Sequence, residues 1–290
     1  MRKESEMMQL LLNTAEEDPN ILGVYRNGSR ANPKASRDIF QDYDIVYVVK
    51  TTTPYILDET WIDRFGERLL MQNVGKEATP AQQTEAYGWL MLFRDGTRID
   101  LHIETLSHMQ AHMQEESLCE ILLDKQGILP KLPASDDRSF WIQKPSQDDF
   151  AFVCNEFWWC LNNVVKGIWR SEISYALDQL NFYVRPMLLR LLEWKGGIQS
   201  DFKASGGKSG KYLHQLIGDE LWTRYLQTYA GYDSDLSAKL IDMMTLFEEQ
   251  AVIISKALRY SYNLEEGKNA QLYVHQVLSL PRNASDIFPS

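Results

Sequence analysis

The dipeptide Asp95-Gly96 constrains the fold of this chain more than any other short stretch. It stands between Tyr87-Gly88-Trp89-Leu90-Met91-Leu92-Phe93-Arg94 and the run Thr97 to Glu104, both rich in β-branched, aromatic and aliphatic residues. Asp-Gly between such runs favours a hairpin with a type I′ turn, because both positions tolerate positive φ. In the second strand, alternation puts Arg98, Asp100, His102 and Glu104 on one face and Ile99, Leu101 and Ile103 on the other. A polar face inside a folded domain either meets solvent or lines a site.

The rest of the first 110 residues mixes helical and strand patterns. Lys3 to Glu17 reads as an amphipathic helix stopped by Asp18-Pro19-Asn20. Ile21 to Arg26 reads as a short strand ending at Asn27-Gly28-Ser29, and Tyr43 to Lys50 as a buried strand. Leu57 to Gln72 has helical spacing, with Trp61, Phe65, Leu69 and Gln72 about one turn apart. From Asp149 onward strand signals vanish: 149–170, 171–194, 211–229, 233–262 and 269–280 have helical spacing, and Pro186 is predicted to bend or break the second of these. Phe157-Trp158-Trp159 and Trp169 read as bundle core. The proline-containing segment 130–148 reads as a connection. The expected class is therefore α+β, with a mixed β-sheet flanked by helices over 1–135 and an all-α helical bundle over 136–290.

A chain of 290 residues is long enough for two domains that each bury a core. Its 40 acidic and 30 basic side chains leave a net charge of −10, and the surplus is acidic in both halves. That excludes the basic face on which long nucleic acids are held by phosphate neutralisation. An acidic field draws small cations instead. The three cysteines, Cys119, Cys154 and Cys160, have no C-x-x-C spacing, so neither a disulfide framework nor a cysteine zinc site is expected. No run of about 18 apolar residues suggests a membrane span, and the first residues lack the pattern of a signal peptide. A cytoplasmic protein with no membrane partner is expected; the oligomeric state stays open, with a monomer favoured.

The chemistry-bearing residues lie around two short motifs. Period-2 geometry puts Asp42 and Asp44 on the same strand face, with Cα atoms about 6.5–7 Å apart. Two carboxylates that close on one face repel each other unless a cation lies between them. Hard oxygen donors of this kind suit Mg²⁺, and Asp100 from the hairpin could complete a two-metal clamp. A bare D-x-D is more often a turn cap followed by a solvated strand residue. Gly28-Ser29 adds to it: glycine permits a tight turn, Ser29 is a good N-cap, and Pro33 would lie within the first turn of a short helix. Gly206-Gly207-Lys208-Ser209-Gly210-Lys211 is not a Walker A motif, since Phe202 stands where its first glycine belongs and no strand precedes it. His108 and His112, at i and i+4, lack both the glutamate of H-E-x-x-H and a third ligand, and read as a surface pair. His102, beside Asp100, reads as a supporting residue rather than a catalyst.

An apolar-Gly28-Ser29, a twelve-residue spacer, Asp42-Tyr43-Asp44-Ile45 and a carboxylate on a later strand resemble the signature of the DNA polymerase β-like nucleotidyltransferase superfamily. The longer string Gly28-Ser29-Arg30-Ala31-Asn32-Pro33, with Asp38 to Val46 and Arg98-Ile99-Asp100-Leu101-His102, resembles the aminoglycoside 6-adenylyltransferases, the streptomycin-modifying branch. The resemblance runs through the whole chain. It implies Mg²⁺-dependent transfer of AMP from ATP to a hydroxyl of streptomycin, release of pyrophosphate, and antibiotic resistance. It implies that residues 1–135 form the catalytic, Mg²⁺- and ATP-binding domain and that 136–290 contribute to acceptor and nucleotide binding. Asp42 and Asp44 would hold the metal. Asp100 would bind a second metal or take the acceptor's proton, unless a carboxylate of the helical half is the base. Gly28, Ser29 and Arg30 would contact the nucleotide, with Lys208 and Lys211 closing over the triphosphate.

No motif marks the acceptor. A polycationic aminoglycoside asks for carboxylates and aromatic faces, which singles out Glu104, Glu156, Glu172, Asp178, Trp158 and Trp159, with the acceptor expected between the domains. Two other readings stay open: transfer to another small acceptor such as a lincosamide, and a regulatory nucleotide-binding protein without turnover.

Overall fold

In the computed structural model, which describes residues 2–113, 116–229 and 235–288, helix α1 (Glu4–Glu17) buries Met7, Leu11, Thr14 and Ala15 along one stripe. That spacing is the apolar face of an amphipathic helix, and the helix ends where Asp18 turns extended before Pro19. The first of two compact units, Met1–Ser139, continues through β1 (Ile21–Asn27), α2 (Gly28–Ala31), β2 (Tyr43–Val49), α3 (Thr53–Leu57), β3 (Arg68–Val74), α4 (Pro80–Glu85), β4 (Ala86–Phe93), β5 (Arg98–Thr105), α5 (Leu106–His112) and β6 (Cys119–Asp124).

The six strands form one mixed sheet in the order β3-β4-β5-β2-β1-β6, with β2 and β5 parallel and every other neighbouring pair antiparallel. One face carries Ile45, Tyr47, Trp89, Met91, Ile99 and Leu101, packed with Met7 and Leu11 of α1 and with Tyr55, Ile62 and Phe65. The buried Tyr47 hydroxyl donates to the Leu11 carbonyl at 2.8 Å, so its polar end is satisfied. On the opposite face Tyr25, Val46 and Val48 pack with Met109 and Met113. The strand residues Asp44 and Asp100 share that second face, being in step with Val46 and with His102 and Glu104.

Several local expectations are corrected. The Asp95-Gly96 hairpin forms, but its turn is not type I′. Only Gly96 has positive φ (+81°); Gly96 N–H donates to Phe93 O and Phe93 N–H to Thr97 O, both at 2.9 Å. This is a three-residue loop closed by a left-handed glycine, and Asp95 instead accepts hydrogen bonds from Thr97 and Arg2. The helix read over Leu57–Gln72 is a 3₁₀ segment, Glu59–Phe65, that stops at Gly66 (φ +124°). Beyond it, Leu69 and Gln72 lie in edge strand β3, whose backbone pairs with β4. Sheet pairing there overrides an apolar spacing that also fits a helix. Ser29 lies inside α2 rather than capping it, and Pro33 falls past its end: Asn32 is extended (ψ 112°), as a residue before proline prefers. The strand β6 had no sequence reading.

The second unit, Phe140–Ser290, holds α6 (Gln147–Arg170), α7 (Ile173–Gln179), α8 (Arg185–Gln199), α9 (Leu213–Ile217), α10 (Asp219–Gln227), α11 (Leu236–Leu258) and α12 (Leu264–Ser279). Its core stacks Phe157 on Phe247 with ring centroids 3.6 Å apart. A π-helical turn, Leu180–Val184, precedes Pro186 and absorbs the kink expected there. The helix read over 211–229 is broken at Gly218 (φ +85°) into α9 and α10. Of the helix read over 233–262, residues 233 and 234 lie outside the described residues. The three cysteines are free and buried. Among the described residues no helix is long and apolar enough to cross a membrane.

Candidate active site

Parallel pairing of β2 with β5 sets Asp44 directly beside Asp100. Asp42 lies just before β2. One carboxylate oxygen from each of Asp42, Asp44 and Asp100 lies within 4.8 Å of the others. The side chains of Asp42 and Asp100 are 27% and 13% exposed, so the cluster is sheltered yet reachable from solvent. Burial, and then the neighbouring charges of Asp42 and Asp100, push the Asp44 carboxyl up to about 7. Arg98 and Arg30 pull it the other way without cancelling the effect.

Gly28 explains why the Gly-Ser turn belongs to this site. It holds φ +69°, and a Cβ built on it would lie 2.1 Å from Asp44 Oδ2. Any side chain there would occupy the position of the carboxylate. A second glycine does similar work: a Cβ on Gly88 would lie 2.6 Å from Nδ1 of His102. His102 therefore packs against bare backbone, and burial holds its imidazole below the usual range despite Asp100 and Glu104.

Sequence reading gave no role to Arg98, which the structure brings into the cluster. Its Nε and Nη2 donate to Asp100 Oδ1 and Oδ2 at 2.7 and 2.6 Å, a bidentate pair, and Nε stands 3.5 Å from Asp42 Oδ2. The two-residue spacing from Asp100 on one strand face was the available signal. Replacing Arg98 with Gln should raise the Asp44 midpoint further, because a neutralising charge is lost. Carboxyl-carbon NMR titration of the metal-free protein checks this; an unchanged or lowered midpoint contradicts the placement.

Arg30 is engaged differently from a free phosphate ligand. Its guanidinium donates to the Asp42 and Gln41 carbonyls at 2.9 and 3.0 Å, pairs with Glu4 at 3.2 Å and stacks over Tyr43 at 3.9 Å. It ties α2 to the backbone that carries Asp42. Beside the carboxylates a cavity of about 1010 Å³ is lined by Arg2, Arg30, Arg37, Arg98, Leu90 and Leu92 among others. Asn27 Oδ1 and Gln41 Nε2, next in sequence to Gly28 and Asp42, are buried without a hydrogen-bond partner in the protein.

The other residues named from sequence lie elsewhere. The Glu104 carboxylate is buried at the far end of β5, where it accepts from the Tyr25 hydroxyl and from His108. Trp158 is buried with its Nε1–H donating to Tyr262, while Trp159 is 68% exposed. Both line a cavity of about 610 Å³ in the second unit, together with Asn162, Glu265, Glu266 and Tyr273. Glu156 accepts from the Cys160 thiol; Glu172 and Asp178 are exposed near and on α7. Lys208 and Lys211 are exposed on a turn where Gly207, Ser209 and Gly210 all have positive φ.

The donor set of the carboxylate cluster fits a hard divalent cation. It offers three oxygen ligands, no thiol or imidazole, and mutual repulsion that a cation would relieve. A profile of the streptomycin adenylyltransferase family matches residues 1–277. The chain is 37% identical over 279 residues to the aminoglycoside 6-adenylyltransferase of Campylobacter jejuni, covering 95% of this chain and 96% of that one. It is 34% identical over 272 residues to the aminoglycoside 6-adenylyltransferase of Bacillus subtilis (strain 168), covering 92% and 95%. A crystal structure of an aminoglycoside 6-adenyltransferase from Bacillus subtilis aligns with 97% of this chain and 100% of that chain, at 29% identity and a TM-score of 0.48.

Proposed function

This chain belongs to the streptomycin adenylyltransferase family and is a nucleotidyltransferase, and on that premise we propose that it transfers AMP from ATP to a hydroxyl of an aminoglycoside, streptomycin first, with release of pyrophosphate. The observation that carries the reading is the convergence of Asp42, Asp44 and Asp100, with Asp44 held against the bare backbone of Gly28. In-line displacement at the α-phosphorus needs a neutralised triphosphate, an aligned acceptor hydroxyl and a destination for its proton. Mg²⁺ held by Asp42 and Asp44 would offset the charge of the triphosphate and of the leaving pyrophosphate.

Asp100 would take the acceptor's proton or share in holding a second cation, unless a carboxylate of the helical half is the base. Arg98 must loosen its grip on Asp100 for either role, and its half-exposed guanidinium can then turn toward phosphate. Gly28 and Ser29 supply backbone N–H groups at the start of α2, and Arg30 keeps that turn seated against Asp42. Lys208 and Lys211 serve as further phosphate contacts. Trp158, Trp159, Glu156, Glu172 and Asp178 stay as acceptor contacts in this reading; Glu104, fully engaged by Tyr25 and His108, does not.

Incubation with ATP, Mg²⁺ and streptomycin should release pyrophosphate and leave a drug heavier by one AMP in the mass spectrum. No pyrophosphate and no mass gain across a panel of aminoglycosides would discard the proposal. A lincosamide in the same panel separates the acceptor classes.

A further inference from the structure

The far end of the same sheet face carries a second convergence of ligand atoms. Among the described residues, Glu104, His108 and His112 each bring one donor atom within 4.8 Å of the other two. The surface-pair reading of the two histidines overlooked Glu104, which is the third donor. It precedes His108 by four residues, but it lies on β5 while the histidines lie on α5, so no single helical face links all three.

The second oxygen of Glu104 and the second ring nitrogen of His112 already have partners. The Tyr25 hydroxyl, whose proton burial holds in place, donates to Glu104 Oε1. Oε2 is left for the imidazoles, with His108 Nδ1 at 2.6 Å and His112 Nε2 at 3.5 Å. His112 Nδ1 lies 2.7 Å from the His108 carbonyl, which can only accept, so Nδ1 bears a hydrogen. Nε2 of that ring then either carries a second proton or aims a lone pair at a carboxylate oxygen. A lone pair and a carboxylate facing each other repel, unless a cation stands between them. Carbonyl-held Nδ1 with free Nε2, and a carboxylate fixed by a phenol, are the outer-shell bonds that orient metal ligands.

We propose that Glu104, His108 and His112 form a binding site for a transition-metal dication of the Zn²⁺ class, distinct from the Asp42–Asp44–Asp100 cluster. Two imidazoles and one carboxylate are donors that select such ions over Mg²⁺. Tetrahedral ligands at 2.0–2.1 Å stand about 3.3 Å apart, so the 3.5 Å pair is nearly in place and the 2.6 Å pair opens slightly as its bridging proton leaves. Both histidine side chains are about two-fifths exposed, which gives an ion a way in and leaves a fourth position for water. The ion would fasten α5 to the strand that carries Asp100.

The test uses the full chain, stripped with chelator and returned to excess Mg²⁺ so that the aspartate cluster is satisfied. Co²⁺ is then titrated while visible d–d absorption is followed, and Zn²⁺ is added as competitor. One Co²⁺ per chain, displaced by Zn²⁺, should bind in the wild type and in Asp44→Asn. His112→Ala should weaken binding at least ~100-fold, and Tyr25→Phe about 10–100-fold. Circular dichroism confirms that each variant is folded. Absence of Co²⁺ binding by folded wild type overturns the site. So does binding that survives His112→Ala unchanged or that disappears with Asp44→Asn.

Discussion

Asp44→Asn should abolish nucleotide transfer and, in the metal-free protein, raise stability. Turnover should fall on the order of 10³-fold or more, because a neutral amide cannot replace a charged oxygen ligand opposite a triphosphate. Stability moves the other way. The Asp44 carboxyl is held at about 7 in the fold against 3.8 in its ordinary state. A raised carboxyl midpoint means that the native state binds the proton more tightly than the unfolded state does. Its contribution is present below pH 4 and is lost as pH rises through 7, where ionisation penalises the fold. The difference corresponds to about 2–4 kcal/mol at pH 8. Urea or thermal melts in chelator should show the variant more stable at pH 8 and the gap closing toward pH 4. Added Mg²⁺ should stabilise the wild type and not the variant. A variant that is less stable at pH 8, or one that retains turnover, contradicts the assignment of Asp44.

Gly28→Ala should cost nearly as much activity by another route. The substitution meets two obstacles at once: φ +69° and a Cβ only 2.1 Å from Asp44 Oδ2. The left-handed conformation alone costs about 1 kcal/mol. Displacing the carboxylate by the remaining ångström or so should lower kcat/KM about 10²-fold, the usual penalty of misplacing a reacting or ligating group. Gly127 separates the two effects, since it has φ +67° with nothing within 4 Å of a built Cβ. Gly127→Ala should therefore lose about 1 kcal/mol of stability and keep its activity. Equal kinetic losses in the two variants would show that backbone strain, rather than the Asp44 contact, makes Gly28 necessary.

Much of the first unit could be read from residue order because its cues are short-range. The two-residue period puts Asp42 and Asp44 on one face at β2 and Asp100 on the polar face of β5, and Asp95-Gly96 joins β4 to β5. The failures occurred where a local pattern served two structures equally well. Trp61, Phe65, Leu69 and Gln72 fit one helix, yet Gly66 breaks the run and β4 offers Leu70–Val74 a partner. Ser29 and Pro33 suit a helix start, yet α2 begins at Gly28, one residue ahead of that capping position, where Gly28 turns against Asp44.

By itself, the order of residues determined which side chains share a strand face, where glycine must permit a left-handed turn, and that the second half is helical. Those properties follow from the two-residue period of strands, the missing Cβ of glycine and the spacing of apolar residues, all of which act within a few positions. Only the tertiary structure decided that β2 lies parallel to β5 with Asp44 beside Asp100, that Arg98 grips the cluster, and that Glu104 joins His108 and His112. Strand partner and register are set by burying Ile45, Tyr47, Ile99 and Leu101 together under α1, a burial shared among segments far apart in the chain.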